Sequence, residues 1–304
     1  MPHNRNREER LMPIAPHLLQ NDRLPHGMLV QLQAVYDTLK SAEKKAADVL
    51  LKDIDFVQNA TIVEMARRAE CSEATLVRLA RRLGYKGYPE LREDIQSVAE
   101  EETQPLYQNI TANDNSAELL TKVFSSAVQA LNDTLQCLDR ASYDRAVEQI
   151  LGARRLMFCG IGDSYAVALS GMQKMARLGI RTFANTDIDT QLIALSDFEE
   201  CDALIAISYS GRTKSILDIV RYAKTRNVKI ISITNYPASQ LAKLSDIVLQ
   251  TAAFTRQLHG EVMSKRITQL CIIESLFVSL LVQKPEAYQK HLEQAGKALQ
   301  WNKM

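Results

Sequence analysis

The sequence predicts a two-part chain: an all-α N-terminal domain and an α/β C-terminal domain built on a doubly wound, five-stranded parallel sheet. Three observations predict it. From Met28 to about Glu102, apolar residues recur every third and fourth position among Glu, Lys, Arg and Ala, which is the helical period. The stretch "TQPLYQNITANDNS" then breaks the pattern, with Pro105 and an Asn/Asp/Ser cluster that favour turns over regular structure. Beyond about residue 152, short β-rich runs alternate with amphipathic stretches. That spacing implies parallel strands joined by helices that cover both faces.

Length and composition set the bounds. A chain of 304 residues allows roughly two domains. The expected divisions are a flexible tail over 1–27, a helical domain over 28–103, a linker over 104–115 and the α/β domain over 116–304. With 46% hydrophobic and 24% charged residues, a sizeable core is available. The formal net charge is +1, so bulk charge points to neither nucleic acid nor membrane, and any such contact must be local. No apolar run approaches the roughly 20 residues of a membrane span. The first twenty residues lack the apolar core of a signal peptide, so a cytoplasmic protein is expected. The five cysteines, Cys71, Cys137, Cys159, Cys201 and Cys271, are odd in number and widely spaced. They suit buried free thiols in a reducing compartment. The histidines are scattered, so neither a metal site nor a cofactor is expected.

In the helical domain the informative run is "TIVEMARRAECSEATLVRLARRLGYKGYPEL". Thr61 can cap a helix running to about Ala69. "ECSEA" is a tight connection. Ser72 is a good N-cap for a second helix, Glu73 to Leu83, and Gly84 a good stop. Two short helices joined this way form a helix-turn-helix. Leu76, Leu79 and Leu83 share the side expected to face the core. Ser72, Thr75, Arg78 and Arg82 share the other. The start of the second helix is the part that meets base edges in the major groove, and Thr75 and Arg78 sit there. Arg81, Arg82, Lys86 and the hydroxyls of Tyr85 and Tyr88 are placed for phosphate contacts, which position without specifying. Five arginines and one lysine stand against Glu70 and Glu73 between Arg67 and Tyr88. A solvated face of an ordinary bundle would explain the charge alone, but not the cap, the turn and the recognition-type helix together.

In the second half the expected order is helix 116–138, helix 143–151, strand "RLMFCGI", helix, strand "GIRTFA", helix, strand "ALIAISY", helix, strand "VKIISITN", short helix, strand "DIVLQT" and one long final helix. Ligands of such sheets bind beyond the carboxyl ends of the strands. Two of those ends carry polar loops: "CGIGDSYA" after the first strand and "SYSGRTKS" after the third. A strand-to-helix junction offers unpaired N–H groups and the positive end of the helix dipole. Ser208, Ser210, Gly211 and Thr213 can therefore cradle a phosphate, with Arg212 and Lys214 nearby. "GIGDSY" is not a dinucleotide fingerprint, because its third glycine would fall at Tyr165, and no Gly-Lys-Ser/Thr phosphate loop is present.

Two resemblances extend this reading. "VEMARRAECSEATLVRLARRLGYKGYPELR" resembles the helix-turn-helix of RpiR-type bacterial transcriptional regulators, and "SAEKKAADVLL" from Ser41 resembles the helix that precedes it there. The C-terminal half resembles the SIS (sugar isomerase) domain. That resemblance implies Gly160, Gly162 and Ser164 in the first loop, and Ser208, Ser210, Gly211 and Thr213 in the second, as sugar-phosphate ligands. It also places Glu261 near the acidic residue that touches sugar hydroxyls, and matches residues 259–277 to the start of the family's long C-terminal helix.

A SIS domain can isomerise a sugar phosphate, which needs an acid/base pair; His259 and Glu261 are the candidates. Attachment to a DNA-reading domain favours the alternative, a sensor in which turnover would only consume the signal. The expected protein is thus a regulator that binds operator DNA, senses a phosphorylated sugar and controls sugar-metabolism genes. It should act as a dimer or tetramer, since one helix-turn-helix reads only a half-site. The apolar final helix, "CIIESLFVSLL", is the expected place of pairing.

Overall fold

The computed structural model describes residues 26–100, 114–253 and 264–302. Contacts divide the chain into two compact units, one holding residues 26–100 and 114–129 of those described, the other 130–253 and 264–302. The expected linker lies almost wholly outside the described residues, as does most of the expected tail. Helix α1 (His26–Val35) begins two residues inside that tail.

The first unit is all-helical. After α1 and a 3-10 turn at Tyr36–Thr38 come α2 (Ser41–Lys52), α3 (Ile54–Asn59), α4 (Ile62–Arg68), α5 (Glu73–Arg82) and α6 (Tyr88–Glu100). Apolar spacing builds one core from all of them: Met28, Leu32, Ala46, Leu50, Met65, Leu76, Leu79, Leu83, Leu91 and Ile95 are buried together. Each buried leucine of α5 contributes about 1.5–3 kcal/mol relative to exposure. Helix α7 (Ser116–Cys137) starts where the sequence predicts and runs across the boundary between the units.

The second unit follows the predicted alternation. Helix α8 (Arg140–Gly152) leads into β1 (Arg155–Cys159), α9 (Asp163–Arg177), β2 (Arg181–Ala184), α10 (Ile188–Leu195), β3 (Ala203–Ile207), α11 (Lys214–Thr225), β4 (Lys229–Thr234), α12 (Gln240–Leu244) and β5 (Ile247–Gln250). The sheet order is β2-β1-β3-β4-β5, and every neighbouring pair is parallel. Because side chains alternate along a strand, each strand feeds two cores. Leu156, Phe158, Ile205 and Ile231 pack with α8 and α9 on one face. Met157, Cys159, Leu204 and Ile230 pack with α11 and α12 on the other. Burial on both faces explains why β3, "ALIAI", is apolar throughout rather than alternating.

Three expectations need correction. The final helix is two: α13 (Lys265–Gln283) and α14 (Pro285–Gln300). Proline disfavours helical geometry in the residue before it, and Lys284 turns the chain at φ −134°, ψ 61°. Second, α13 is long and apolar enough by length and composition to cross a membrane, with a mean hydropathy of 1.4 over 18 residues. Here Ile272, Ile273, Leu276 and Leu280 pack on the sheet, while Ile267, Val278 and Val282 are exposed. Third, only Cys159 is fully buried; Cys71 and Cys137 are half-buried, and Cys201 and Cys271 exposed, all five as free thiols. Burial pushes the Cys159 and Cys137 thiols up to about 12.

Candidate functional site

The helix-turn-helix forms as its caps dictate. Thr61 and Glu64 close a capping box at α4: Glu64 N donates to Thr61 Oγ1 at 3.3 Å and Thr61 N to Glu64 Oε2 at 2.8 Å. Helix α4 ends with Cys71 N donating to Ala66 O and Glu70 N to Arg67 O, the two bonds of a Schellman turn. Its left-handed position is filled by Glu70, at φ 48°. Ser72 Oγ then caps α5 by accepting from Thr75 N at 3.3 Å. Helix α5 closes at Gly84 with the same pair of bonds, Tyr85 N to Ala80 O and Gly84 N to Arg81 O.

The outward face of α5 is narrower than the helical wheel implies. Arg78, Arg81 and Ser72 are exposed, and the Lys86 side chain is 95% exposed. Thr75 is not: it is buried, with its hydroxyl 2.9 Å from Ser72 Oγ and accepting from Arg78 Nη2 at 3.1 Å. Arg82 is exposed as expected but tethered, donating to Glu43 Oε2 at 3.0 Å and Thr38 Oγ1 at 3.2 Å. The two tyrosine hydroxyls serve the fold. Tyr85 donates to Asp94 at 2.5 Å and Tyr88, itself buried, to the Ala60 carbonyl at 3.2 Å. Burial pushes the Tyr88 hydroxyl up to about 12 and, with Asp94 adding to it, that of Tyr85 higher still. The expected phosphate contacts from these hydroxyls are therefore withdrawn. Glu43, which sequence reasoning passed over, is buried among these arginines; an acidic residue inside the apolar period of α2 was its signal.

In the second unit the two polar loops meet. Strands β1 and β3 are neighbours, with Cys159 opposite Ala206. Their following helices pack on opposite faces, so the crevice between them is the point where the strand order reverses, the usual ligand site of such sheets. A cavity of about 190 Å³ lies there, lined by Asp163 and Ser164 from the first loop, Ser208, Ser210 and Thr213 from the second, and Lys265 from α13. Backbone conformation makes room for it. Gly162 sits at φ 59°, ψ −126° as the residue before α9. Gly211 sits at φ 60°, and a Cβ on it would lie 2.1 Å from Ser239 Oγ, so no other residue fits there without a shift.

Hydroxyls in the second loop are tied to each other and to the loop's own backbone rather than to the helix start. Ser208, 4% exposed, accepts from Gly211 N at 3.2 Å and lies 3.3 Å from Thr213 Oγ1. Ser210 Oγ accepts from Arg212 N at 3.3 Å. Thr213 stands at the N-cap of α11 yet makes no side-chain cap bond, and Gly162 and Ser264, before α9 and α13, make none either. Asp139, Asp187 and Ser239 accept at the starts of α8, α10 and α12, while α14, away from this crevice, also starts without a side-chain cap. Three helix N-termini with no side-chain cap thus border one cavity, each contributing the positive end of a dipole.

One ion pair crosses the cavity. Lys265 Nζ is 2.7 Å from Asp163 Oδ2, and Arg266 Nη1 is 3.9 Å from Oδ1. The Lys265 hydrogen bond is the main force holding the Asp163 carboxyl below its usual range. Lys265 is the other residue that sequence reasoning missed. Its signal was a basic pair, Lys265–Arg266, opening an apolar helix, where cations oppose the dipole. Lys214 points elsewhere, 93% exposed and 3.6 Å from Asp218, and Arg212 is exposed. Gly160 and Gly162 flank the first loop as expected, whereas His259 and Glu261 lie outside the described residues. No cluster of three or more metal-ligating side chains occurs among the described residues.

Comparison with known proteins agrees with both halves. Residues 26–101 match the helix-turn-helix domain of the rpiR family, and residues 149–279 match the SIS domain. The HTH-type transcriptional regulator HexR of Pseudomonas aeruginosa is 28% identical, over 90% of this chain and 95% of its own. The regulator RpiR of Escherichia coli is 26% identical, over 89% and 91%. Among solved structures, the Vibrio vulnificus NanR protein complexed with ManNAc-6P superposes with a TM-score of 0.58 at 28% identity, covering 90% of this chain and 98% of that one.

Proposed function

We propose, from the premise that this chain belongs to the RpiR family of helix-turn-helix transcriptional regulators with a SIS domain, that it couples operator binding to sensing of a phosphorylated sugar. It is a regulator like its curated relatives, and the related isomerase chemistry is not the role proposed. The observation that carries the effector is the cavity at the sheet's switch point, bordered by three helix N-termini without side-chain caps and floored by Ser208, Ser210 and Thr213. A dianionic phosphate meets neutral donors and positive helix ends there. Ser164 completes the cradle from the neighbouring strand, and Gly211 lets the backbone close in. Lys265 supplies the cation, exchanging Asp163 for the phosphate. Glu261 is the proposed contact to the sugar hydroxyls. ManNAc-6P, with which NanR is complexed in that structure, belongs to the chemical class proposed here.

The DNA contact is proposed to run through α5. Arg78 presents a guanidinium to base edges, while Arg81 and Lys86 contact phosphates, with Ser72 at the helix start beside them. Two copies bind two half-sites, in the bacterial cytoplasm, at genes of sugar metabolism. An effector that binds one arrangement of the dimer better must change DNA affinity, and DNA must change effector affinity by the same factor. A thermal-shift screen of the full chain against pentose, hexose and hexosamine phosphates tests the effector. A ligand at about 100 times its Kd adds roughly 2.7 kcal/mol. If no phosphorylated sugar raises the melting temperature, the effector reading fails.

A further inference from the structure

We infer that Glu43 is a positioning residue for DNA reading, holding Arg78 of α5 where it meets the duplex; this rests on the DNA contact proposed above for Arg78. Glu43 lies in the first turn of α2 and is 4% exposed. Its Oε2 accepts from the Lys40 backbone N–H at 2.9 Å and from Arg82 Nη1 at 3.0 Å. Its Oε1 faces Arg78 Nε at 4.0 Å. Both arginines have a second tether. Arg82 Nη2 donates to Thr38 Oγ1, whose own proton goes to the Val35 carbonyl at 2.6 Å. Arg78 Nη2 donates to buried Thr75, itself bound to the Ser72 cap.

Capping alone does not account for this carboxylate. Glu64 closes the capping box of α4 from an exposed position, so the helix-start bond needs no burial. A buried carboxylate loses its hydration, and an apolar residue between α2 and α5 would stabilise the packing as well or better. The arrangement instead fixes direction. An arginine loses rotamer freedom when it binds, which costs an unrestrained side chain about 2- to 10-fold in affinity. With Arg78 faced at Nε by Glu43 and bound at Nη2 by Thr75, its guanidinium plane is set before DNA arrives. The end-on edge, opposite Nε, remains for the paired acceptors of a base. Thr75, buried and silent toward DNA, thus acts through Arg78.

A double-mutant cycle on the full chain tests this, with a duplex selected by the wild-type protein from a random-sequence pool and the same duplex carrying single base-pair changes. Glu43→Gln keeps the shape and can still accept from Lys40, but removes the charge. The preference for the selected base pair read by Arg78 should fall about 2- to 10-fold. It should fall no further when Glu43→Gln is added to Arg78→Ala, because both act on one contact. Glu43→Asp, which keeps the charge but withdraws it by one methylene, should show the same loss in milder form, and carries the cycle should Glu43→Gln unfold the domain. If Arg78→Ala alters base preference and the Glu43 variants leave it unchanged, or weaken all duplexes equally and additively, the inference is overturned while the DNA contact stands. If Arg78→Ala itself changes no preference, both fall.

Discussion

The two candidate sites handle negative charge in opposite ways. The face of α5 and the loop after it offer full cations, Arg78, Arg81 and Lys86, on long side chains at the surface. The cavity between β1 and β3 offers neutral hydroxyls, backbone N–H groups and one lysine that is already paired. The difference follows from the partner. A duplex is a long array of charge whose counterions are released on binding, so widely spread cations suffice and salt weakens them. A single phosphate is small and must be told from other anions, which needs short directional bonds around a fixed volume. A buried carboxylate in the second unit lies at the opposite end of the sheet. There Arg154 and Arg155 grip the buried Asp202 at 2.9 and 2.8 Å and serve stability.

The comparison can be broken first at the hydroxyls. Replacing Ser208 and Ser210 together with alanine should remove about 3–6 kcal/mol of effector binding, since each bond to a charged group is worth about 1.5–3 kcal/mol. Calorimetry should then detect no binding of a sugar phosphate that the wild type binds, while DNA affinity without effector stays the same. Charge at the sheet floor should act on folding alone. Asp202→Asn should lower unfolding free energy in urea by about 3 kcal/mol, because it strips two arginines of a buried partner. The sign with pH follows. Hydrogen bonds from both arginines hold the Asp202 carboxyl well below its ordinary value against burial, which acts the other way. Its contribution is present above the unfolded-state value and is lost as pH falls toward the folded one. Denaturant melts between pH 6 and pH 3 should show the wild type losing stability that Asp202→Asn has already lost.

On the DNA face the effects should be smaller and split by kind. Arg78→Ala should cost about 1–3 kcal/mol and relax preference at one base position. Lys86→Ala should weaken all sequences evenly and flatten the salt slope by about one unit. Equal salt slopes for the wild type and Lys86→Ala, read by fluorescence anisotropy, would remove Lys86 from the phosphate contacts. Arg82→Ala belongs to neither class, since it leaves the buried Glu43 carboxylate short of a partner and should register mainly as lost stability.

These two regions also differ in how far the sequence reveals them. The sheet, its order of elements and the meeting of Ser164 with Ser208, Ser210 and Thr213 were all legible. Strand alternation with helices fixes a parallel sheet, and a parallel sheet gathers its loops at one end. Lys265 was not, because it enters from a helix some 50 residues further along the chain. On α5, the 3.6-residue period located Leu76, Leu79 and Leu83 correctly. It could not assign Thr75, which lies at the edge of that stripe and is buried against the Ser72 cap, nor could it show that Arg82, exposed as expected, is tied to Glu43. Tyr85 and Tyr88 were misread for the same reason: Asp94 and the Ala60 carbonyl claim their hydroxyls. The split of the last helix is marked in the sequence by Pro285.

The central claim is that the cavity recognises phosphate through neutral donors and that its occupancy is linked to DNA. Calorimetric titration of the full chain with a sugar phosphate found by screening, and with the same sugar lacking the phosphate, tests it most directly, each with and without the selected duplex. The phosphorylated form should bind at least about 100-fold more tightly, as two or more charge-assisted bonds require. The duplex should shift that affinity by the same factor by which the effector shifts affinity for the duplex. Equal affinity for the two sugars, or a duplex that leaves effector binding unchanged, would contradict it.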